Sequence, residues 1–333
     1  MFEKGVSVII CCYNSALRLP ETLKHLSLQQ TSASWEVIVV NNNSTDATRQ
    51  VANEEWNKLG VPTAFRVVEE ATPGLAAARN RGIAEAKYDY LIYCDDDNWL
   101  SPNYVADVYE LFEEDSTIGI IGGNGSPVTE GKAPIWFEQF VHSYAAFPQS
   151  ETARFVGGVY GAGMSIKKKC YTSILESRFE SLLTDRNGTA LSSGGDSELC
   201  YLVLLSGYKI WCDDRLQFKH FIPKERLQWD YLKRLHIGFA KSNVVIYLYD
   251  FALNTNCKPL PKLYWLKKAG YYLGITVKYW PKQYSVYKNT IGRGEEILHI
   301  TWKTIGMEYL KHNFNTIIYY NRIIALKKQL NGK

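Results

Sequence analysis

The sequence predicts an α/β fold, in which a mostly parallel central sheet forms a Rossmann-like αβα sandwich, followed by a helical C-terminal extension. Two observations support this prediction. Over the first 125 residues, short β-rich apolar runs alternate with segments of helical periodicity, a pattern typical of a parallel sheet covered by helices on both faces. From about residue 226 the pattern is helical throughout. We therefore expect an α/β domain over 1–225 and a helical extension over 226–333.

Local composition and periodicity predict the individual elements. Near-continuous apolar runs predict strands at Val6–Ile10, Glu36–Val40, Ala64–Val68, Tyr90–Cys94 and Ile118–Gly122. The intervening segments predict helices over about 16–30, 45–59, 75–86 and 102–114. The second half is less regular, and its predicted elements are a helix at Leu199–Leu205, a strand near Lys209–Cys212 and a long amphipathic helix at Arg226–Tyr249.

The net charge of +4 is distributed unevenly along the 333 residues. Residues 251–333 contain 12 Lys and 2 Arg against 3 Glu, a net charge of +11, which leaves −7 for residues 1–250. An acidic body and a basic tail predict different roles for the two parts. The seven cysteines are an odd number without a CxxC spacing, so we expect free thiols in a reducing, cytoplasmic setting rather than disulfides or a zinc site.

Polar clusters follow three of the predicted strands. Tyr13 and Asn14 follow the first strand, residues 41–46 follow the second, and Asp95–Asp97 follow the fourth. The carboxyl ends of parallel strands share one edge of the sheet, where ligands bind. Each cluster alone is also typical of a turn or a helix cap, since Asn, Asp, Ser and Thr favour both. Three clusters at one edge favour a nucleotide or phosphate site.

The three consecutive carboxylates Asp95–Asp97 repel one another and are costly to desolvate without a partner. A divalent cation is the simplest partner, because Mg²⁺ and Mn²⁺ prefer oxygen ligands and commonly bridge carboxylates to substrate phosphates. The alternative is a polar loop in which an Asp caps the helix expected from near Ser101. The position of the run at the end of a strand favours metal–phosphate chemistry.

Five motifs, in this order, resemble those of the family 2 glycosyltransferases over about residues 5–250. They are Val6–Ile10 with Tyr13-Asn14, the run Val39–Asp46, the segment Gly74–Gly82, Asp95–Asp97, and Gly195–Leu199. The aspartate run fits a DxD motif with Asp95 and Asp97 at its outer positions, so Asp96 is the member expected to matter least. A lone DxD is a weak signal, but five motifs in matching strand and helix context are specific.

The resemblance implies a GT-A fold and an inverting, metal-dependent transfer of a sugar from a nucleotide-sugar donor, with UDP the expected nucleotide. Residues 1–125 would be the nucleotide-binding half and 126–225 the acceptor-binding half. The implied general base is Asp196. The implied nucleotide contacts are Tyr13, Asn14, Asn41, Arg79, Asp95 and Asp96, and the implied ligands of Mn²⁺ or Mg²⁺ are Asp97, Asp95 and His220.

The sequence departs from the family pattern at two of these positions. Asn41 stands where the family usually has an Asp that accepts a hydrogen bond from uracil N3–H. An Asn accepts through its carbonyl oxygen, but it also donates and carries no charge. The acidic motif often reads Glu-Asp, whereas Gly195 precedes Asp196 here. Two of the implied roles have a structural alternative. His220 is also typical of a histidine that only makes a structural hydrogen bond, and Arg79 is also typical of an arginine on the surface of a helix.

The basic tail, residues 258–333, interleaves Lys with Trp and Tyr, for example in Tyr264–Lys268. This composition suits a surface that lies on an anionic membrane, and many relatives act on lipid-linked acceptors at the cytoplasmic face. There are two alternatives. The aromatic side chains could pack on the α/β domain, or the basic face could bind nucleic acid, although nothing in the sequence resembles a recognition module for nucleic acid. We expect no signal peptide and no membrane-spanning helix, because strand sequence begins at Val6 and no run of 18 apolar residues occurs.

The expected function is sugar transfer to a saccharide or lipid-linked saccharide in the synthesis of cell-surface polysaccharide or glycolipid. Two alternatives stay open: a nucleotidyltransferase acting on sugar phosphates, and a non-catalytic membrane-associated scaffold with a nucleotide site. A nucleotidyltransferase usually has a Gly-rich loop with Arg or Lys after the first strand, which Cys11–Ser15 is not. A scaffold would not need both the DxD motif and Asp196. A Rossmann dehydrogenase is excluded because no GxGxxG follows the first strand.

Overall fold

The computed structural model of the chain describes residues 3–183, 194–287 and 294–331. Nine strands in these ranges form one mixed sheet with the order β3-β2-β1-β4-β8-β6-β9-β5, in which β7 pairs with β9. The strands are β1 Glu3–Cys12, β2 Trp35–Asn42, β3 Ala64–Glu70, β4 Tyr88–Asp95, β5 Asn98–Leu100, β6 Ile118–Thr129, β7 Arg154–Val156, β8 Ser165–Lys167 and β9 Lys209–Ile222.

Eleven α-helices are present in the same ranges. They are α1 Leu19–Ser27, α2 Thr48–Leu59, α3 Leu75–Glu85, α4 Tyr104–Glu114, α5 Phe137–Phe140, α6 Lys168–Glu176, α7 Gly195–Leu205, α8 Trp229–Asn254, α9 Tyr264–Tyr287, α10 Gly294–Lys311 and α11 Asn313–Asn331. Two 3₁₀ turns, Val141–Tyr144 and Lys224–Leu227, precede β7 and α8 respectively. All five strands and four helices predicted for the first 125 residues are confirmed. Most boundaries differ by at most three residues, but the strand predicted at Ile118–Gly122 continues to Thr129.

The long strands of the sheet pair in parallel. Strands β3, β2, β1 and β4 are parallel neighbours, and β6 is parallel to β9. Every antiparallel pair among the described strands includes one of the three-residue strands β5, β7 and β8. The predicted αβα architecture with a mostly parallel sheet is therefore confirmed.

Both faces of the central strands are buried, which explains their near-continuous apolar sequence. Ile9 and Leu91 pack in one cluster with α3, α7 and α8, whereas Val8, Ile10 and Ile92 pack in another with α1 and α4. Successive residues of a strand point to opposite faces. A sheet covered on one face only would alternate apolar and polar residues, and these strands do not.

The chain after the aspartate run differs from the prediction. A short strand, β5, lies between Asp95–Asp97 and helix α4, where a helix cap was the alternative. Strand β5 pairs antiparallel with the long strand β9, and Asn98 lies opposite His220. Since β9 continues to Ile222, well beyond the predicted Cys212, His220 is placed next to the aspartates.

The C-terminal helices pack on the α/β body. Buried side chains of α9, α10 and α11, among them Tyr264, Tyr309 and Leu326, belong to the same apolar cluster as the sheet residues Ile9 and Leu91. Among the described helices, none combines the length and apolarity needed to cross a membrane. All seven cysteines lie in the described ranges, and none of them forms a disulfide.

Candidate functional site

A cavity of about 750 Å³ opens at the carboxyl ends of β1, β2 and β4. The strand register explains why the polar clusters meet there, because Cys11 pairs with Asp95 and Cys12 with Asn41. The start of α7 and one face of α8 form other walls of the same cavity. The predicted site residues that line it are Tyr13, Arg79, Asp95, Asp96, Asp97, Asp196 and His220.

Asp97 is buried between two basic side chains. Its Oδ2 accepts a hydrogen bond from Arg226 Nη1 at 3.1 Å, and its Oδ1 lies 3.4 Å from His220 Nε2. Burial alone would raise the pKa of Asp97, but the neighbouring His220 and Arg226 side chains hold it well below its usual range. Asp97 is therefore the anionic centre of the aspartate run.

The other two aspartates differ from Asp97 in their partners. Asp96 Oδ2 is 2.6 Å from Arg18 Nη2, and the Asp96 carbonyl accepts a hydrogen bond from the Thr22 hydroxyl at 2.9 Å. Asp96 therefore ties the run to the start of α1. Burial, with the neighbouring Asp97 charge, raises the pKa of Asp95 to about 6. An added positive charge at this place would favour the ionised form of Asp95.

Asp196 lies in the first turn of α7, where Arg79 of α3 holds it. Arg79 Nη1 is 2.5 Å from Asp196 Oδ1, and its guanidinium lies 4.9 Å from the ring centre of Tyr93. Arg79 is 7% exposed, so it is an interior residue and not a helix-surface arginine. A Cβ built on Gly161 would lie 2.1 Å from Asp196 Oδ2, so only glycine permits the present position of this carboxylate.

Asn14 and Asn41 are not among the residues that line the cavity. Asn14, with a positive φ of 51°, accepts a hydrogen bond from the Thr45 backbone N–H at 2.8 Å and so joins the loops after β1 and β2. Asn41 Nδ2 donates to Glu69 Oε2 at 2.8 Å, and Asn41 Oδ1 is buried without a hydrogen-bond partner. The free group of Asn41 is therefore an acceptor.

The donor atoms around Asp97 fit a small divalent cation. His220 Nε2 is buried 3.4 Å from Asp97 Oδ1, and imidazole nitrogen and carboxylate oxygen are both Mn²⁺ ligands. Within the described ranges, no three His, Cys, Asp or Glu side chains already surround one point as metal ligands. Such cations commonly take one or two carboxylates from a protein and further ligands from substrate phosphates, so a partial donor set is sufficient.

Sequence reasoning missed three charged residues at this site: Arg18, Glu69 and Arg226. Glu69 places a carboxylate beside Asn41, the position at which the resemblance implies an Asp. Arg18 and Arg226 pair with the aspartate run. The sequence pattern predicts Arg226 only as the first residue of a helix, whereas Arg226 lies in a 3₁₀ turn before α8. No local pattern marks these residues, because each acts on a partner far away in the sequence.

The sequence matches the model of glycosyl transferase family 2 over residues 7–166. Similar curated proteins include a putative glycosyltransferase, EpsH, of Bacillus subtilis, which is 34% identical over 104 residues, or 31% of this chain and 29% of EpsH. Chondroitin synthase of Escherichia coli is 32% identical over 120 residues, or 35% of this chain and 17% of the synthase. The chain thus matches less than a third of the length of either relative.

Two solved structures share the fold. TarS 1–349 of S. aureus, in complex with UDP-GlcNAc, has a TM-score of 0.50 and 16% identity and covers 93% of this chain and 91% of its own. GalNAc-T7 with UDP, GalNAc and Mn²⁺ has a TM-score of 0.51 and 15% identity and covers 77% of this chain and 55% of its own. Residues 7–166 of this chain are a glycosyl transferase family 2 domain, built on the GT-A fold.

Proposed function

We propose that this protein transfers a sugar from a UDP-sugar to a saccharide or lipid-linked saccharide, with inversion at the anomeric carbon. One observation carries the proposal: the aspartate run and Asp196 line one cavity at the carboxyl edge of a family 2 domain. Donor binding requires that the negative charge of the diphosphate is compensated. Activation of the acceptor requires a carboxylate near the reacting carbon. Both are available within this cavity.

The chemistry is a single displacement. An acceptor hydroxyl oxygen forms a bond to the anomeric carbon, and the bond from that carbon to the diphosphate oxygen breaks with its electron pair on the diphosphate. We assign Asp196 as the base that takes the hydroxyl proton, as general-base catalysis requires a carboxylate within reach of the acceptor. Arg79 holds Asp196 Oδ1, so Oδ2 is the oxygen assigned to the proton.

The donor nucleotide is assigned to the edge formed by the loops after β1 and β2. The buried, unpartnered Oδ1 of Asn41 supports its role as an acceptor for a base N–H, and Glu69 fixes the orientation of the amide. Tyr13, 54% exposed at the cavity, offers a ring face for the base, and Asn14 positions the neighbouring loop. The presence of UDP in both solved neighbours supports a uridine nucleotide.

We assign Mn²⁺ or Mg²⁺ to Asp97, Asp95 and His220. The position of His220 Nε2, 3.4 Å from Asp97 Oδ1, supports this assignment, as does the Mn²⁺ in the GalNAc-T7 structure. When bound, the cation would neutralise charge on the leaving diphosphate. Arg226 adds positive charge beside Asp97, and Arg18 adds it beside the neighbouring Asp96.

The acceptor class and the setting complete the proposal. The similarity to a chondroitin synthase supports a role in cell-surface polysaccharide or glycolipid synthesis. We place the protein in the cytoplasm, where residues 258–333 meet an anionic membrane surface. The net charge of +11 on residues 251–333 supports this placement. Residues 1–225 and 226–333 share one apolar cluster, so they pack as one body. We propose that the division between them is one of function.

The substitution Asp196→Asn tests the function. We expect UDP release from the reacting member of a UDP-glucose, UDP-galactose, UDP-N-acetylglucosamine and UDP-N-acetylgalactosamine panel to fall roughly 10²–10⁴-fold, the usual contribution of a general base. UDP binding, measured by calorimetry with Mn²⁺ present, should persist. Asp230→Asn is the matched control, because the Asp230 side chain is 83% exposed.

Three outcomes would contradict parts of this proposal. Near-normal turnover of the Asp196→Asn protein would remove Asp196 as the base. Wild-type protein that binds UDP but consumes no UDP-sugar would favour the non-catalytic scaffold. Release of diphosphate from a nucleoside triphosphate and a sugar phosphate would favour the nucleotidyltransferase.

A further inference from the structure

One face of helix α8 lines the same cavity as the aspartates and Asp196. The residues of α8 that line the cavity are mostly three or four positions apart, which places them on one side of the helix. These six residues, called the α8 stripe below, are Tyr231, Leu235, Phe239, Ser242, Asn243 and Ile246.

The α8 stripe lies beside the helix that carries Asp196. Gly194, with φ of +140°, immediately precedes α7, and a Cβ built on it would be 2.9 Å from Ser242 Cβ. Ser242 therefore lies against Gly194, the residue that precedes the Asp196 helix. A molecule bound at the Ser242 end of the stripe would be held beside the start of the helix that carries Asp196.

The chemistry of the α8 stripe suits a neutral, polyhydroxylated ligand. The six residues include no Asp, Glu, Lys, Arg or His. The Asn243 amide, which can both donate and accept, is half-buried at the wall of the cavity. Phe239 and Ile246, both half-buried, give apolar surface on either side of Asn243. A pyranose ring presents this combination, with an apolar face and a hydroxyl edge.

We propose that the α8 stripe binds the acceptor saccharide, with Asn243 hydrogen-bonded to a hydroxyl group of its sugar ring and Phe239 against the face of the ring. This inference rests on the proposed sugar transfer and adds the site at which its acceptor binds. It also assigns acceptor recognition to a helix beyond residue 225, in the part of the sequence described above as an extension.

UDP release from the full-length protein, with Mn²⁺ and the UDP-sugar panel, tests the inference. Release is measured alone and with p-nitrophenyl glycosides of glucose, galactose, N-acetylglucosamine and N-acetylgalactosamine. For Asn243→Ala we expect the ratio of glycoside-stimulated to glycoside-free release to fall at least about fivefold, mainly through a higher KM for the glycoside. Asn254→Ala, at an exposed position of the same helix, is the matched control and should keep the wild-type ratio.

The outcomes separate this inference from the proposed function. Absence of UDP release from every UDP-sugar would refute sugar transfer itself. UDP release that no glycoside stimulates, together with no saturation-transfer NMR signal from any of them, would refute the saccharide site. An unchanged ratio for Asn243→Ala, or stimulation by a Ser/Thr peptide in place of glycosides, would overturn the assignment. Equal losses with and without glycoside would indicate a structural role for Asn243.

Discussion

Individual charges around the cavity are held in pairs. Removing one member of a buried pair leaves an uncompensated charge, which costs far more than the pair itself contributes. The carboxylates therefore owe their orientation to specific basic residues, and a substitution at either member acts on the site. The pairs are Asp96–Arg18 at 2.6 Å, Asp97–Arg226 at 3.1 Å and Asp196–Arg79 at 2.5 Å.

Gly161 gives a prediction about the position of the base. Gly161→Ala should displace the Asp196 carboxylate, because the new Cβ would lie 2.1 Å from Asp196 Oδ2 in the present structure. We expect UDP release to fall by about tenfold or more while the protein stays folded, since a flexible side chain can move away at a cost of roughly 1–3 kcal/mol. Steady-state kinetics and thermal unfolding measure the two effects.

Gly157→Ala is the control for this prediction, because nothing lies within 4 Å of a Cβ at Gly157. It should leave both turnover and the unfolding temperature close to wild type. Unchanged turnover in the Gly161→Ala protein would show that the Asp196 carboxylate has room elsewhere, or that its position is not critical.

At the scale of elements, buried Glu198 joins α7, α8 and the segment before residue 184. Its Oε1 accepts hydrogen bonds from the Tyr249 hydroxyl at 2.6 Å and the Leu182 N–H at 2.8 Å. Its Oε2 accepts from Ser181 and from the Leu183 N–H. Burial raises the pKa of Glu198, and these donors oppose that effect. The helix that carries Asp196 is thereby fixed against α8.

Tyr249→Phe should weaken this connection without creating a cavity. The free energy of unfolding should fall by about 1–3 kcal/mol, because a buried carboxylate loses one of its donors. Urea unfolding followed by circular dichroism measures the change. Tyr271→Phe, at a position 62% exposed on α9, removes a hydroxyl of the same kind and should have little effect. Equal stability of the two variants would mean that water replaces the Tyr249 hydroxyl at Glu198.

At the scale of the whole molecule, the basic C-terminal helices pack on the body and also present an exposed apolar surface. Tyr264, Tyr309 and Tyr320 are buried, whereas Tyr271, Val277 and Trp280 of α9 are 62%, 70% and 52% exposed. The two possibilities considered from sequence, packing and membrane contact, therefore involve different residues. Deleting the helices would uncover the shared cluster, so the membrane role is better tested by point substitution.

Trp280→Gln tests the membrane surface in the full chain. Co-sedimentation with vesicles of phosphatidylcholine and phosphatidylserine should decrease at least about threefold, because an exposed Trp contributes strongly to interfacial binding. Ile135→Gln is the control, since Ile135 is fully exposed outside the C-terminal helices. Equal binding of both variants, or no binding by wild type, would contradict the membrane surface on α9.

Much of this molecule could be predicted from local sequence. Apolar runs such as Val6–Ile10 identified the central strands because strands buried on both faces need no polar positions. The ends of these strands then located Asp95–Asp97 at the cavity edge. The segment after the run was harder, since β5 has only three residues and is formed through its pairing with β9. A strand that short carries no periodicity of its own.

The sequence by itself determined the parallel α/β body, the order of the motifs and the family, because these depend on residue type and spacing within short segments. Only the tertiary structure decided which charges meet. Arg18 pairs with Asp96 across 78 residues, Arg79 with Asp196 across 117 and Arg226 with Asp97 across 129. Tertiary structure likewise placed one face of α8 in the cavity. Such contacts depend on how the sheet and helices pack in space, and local sequence patterns do not record that packing.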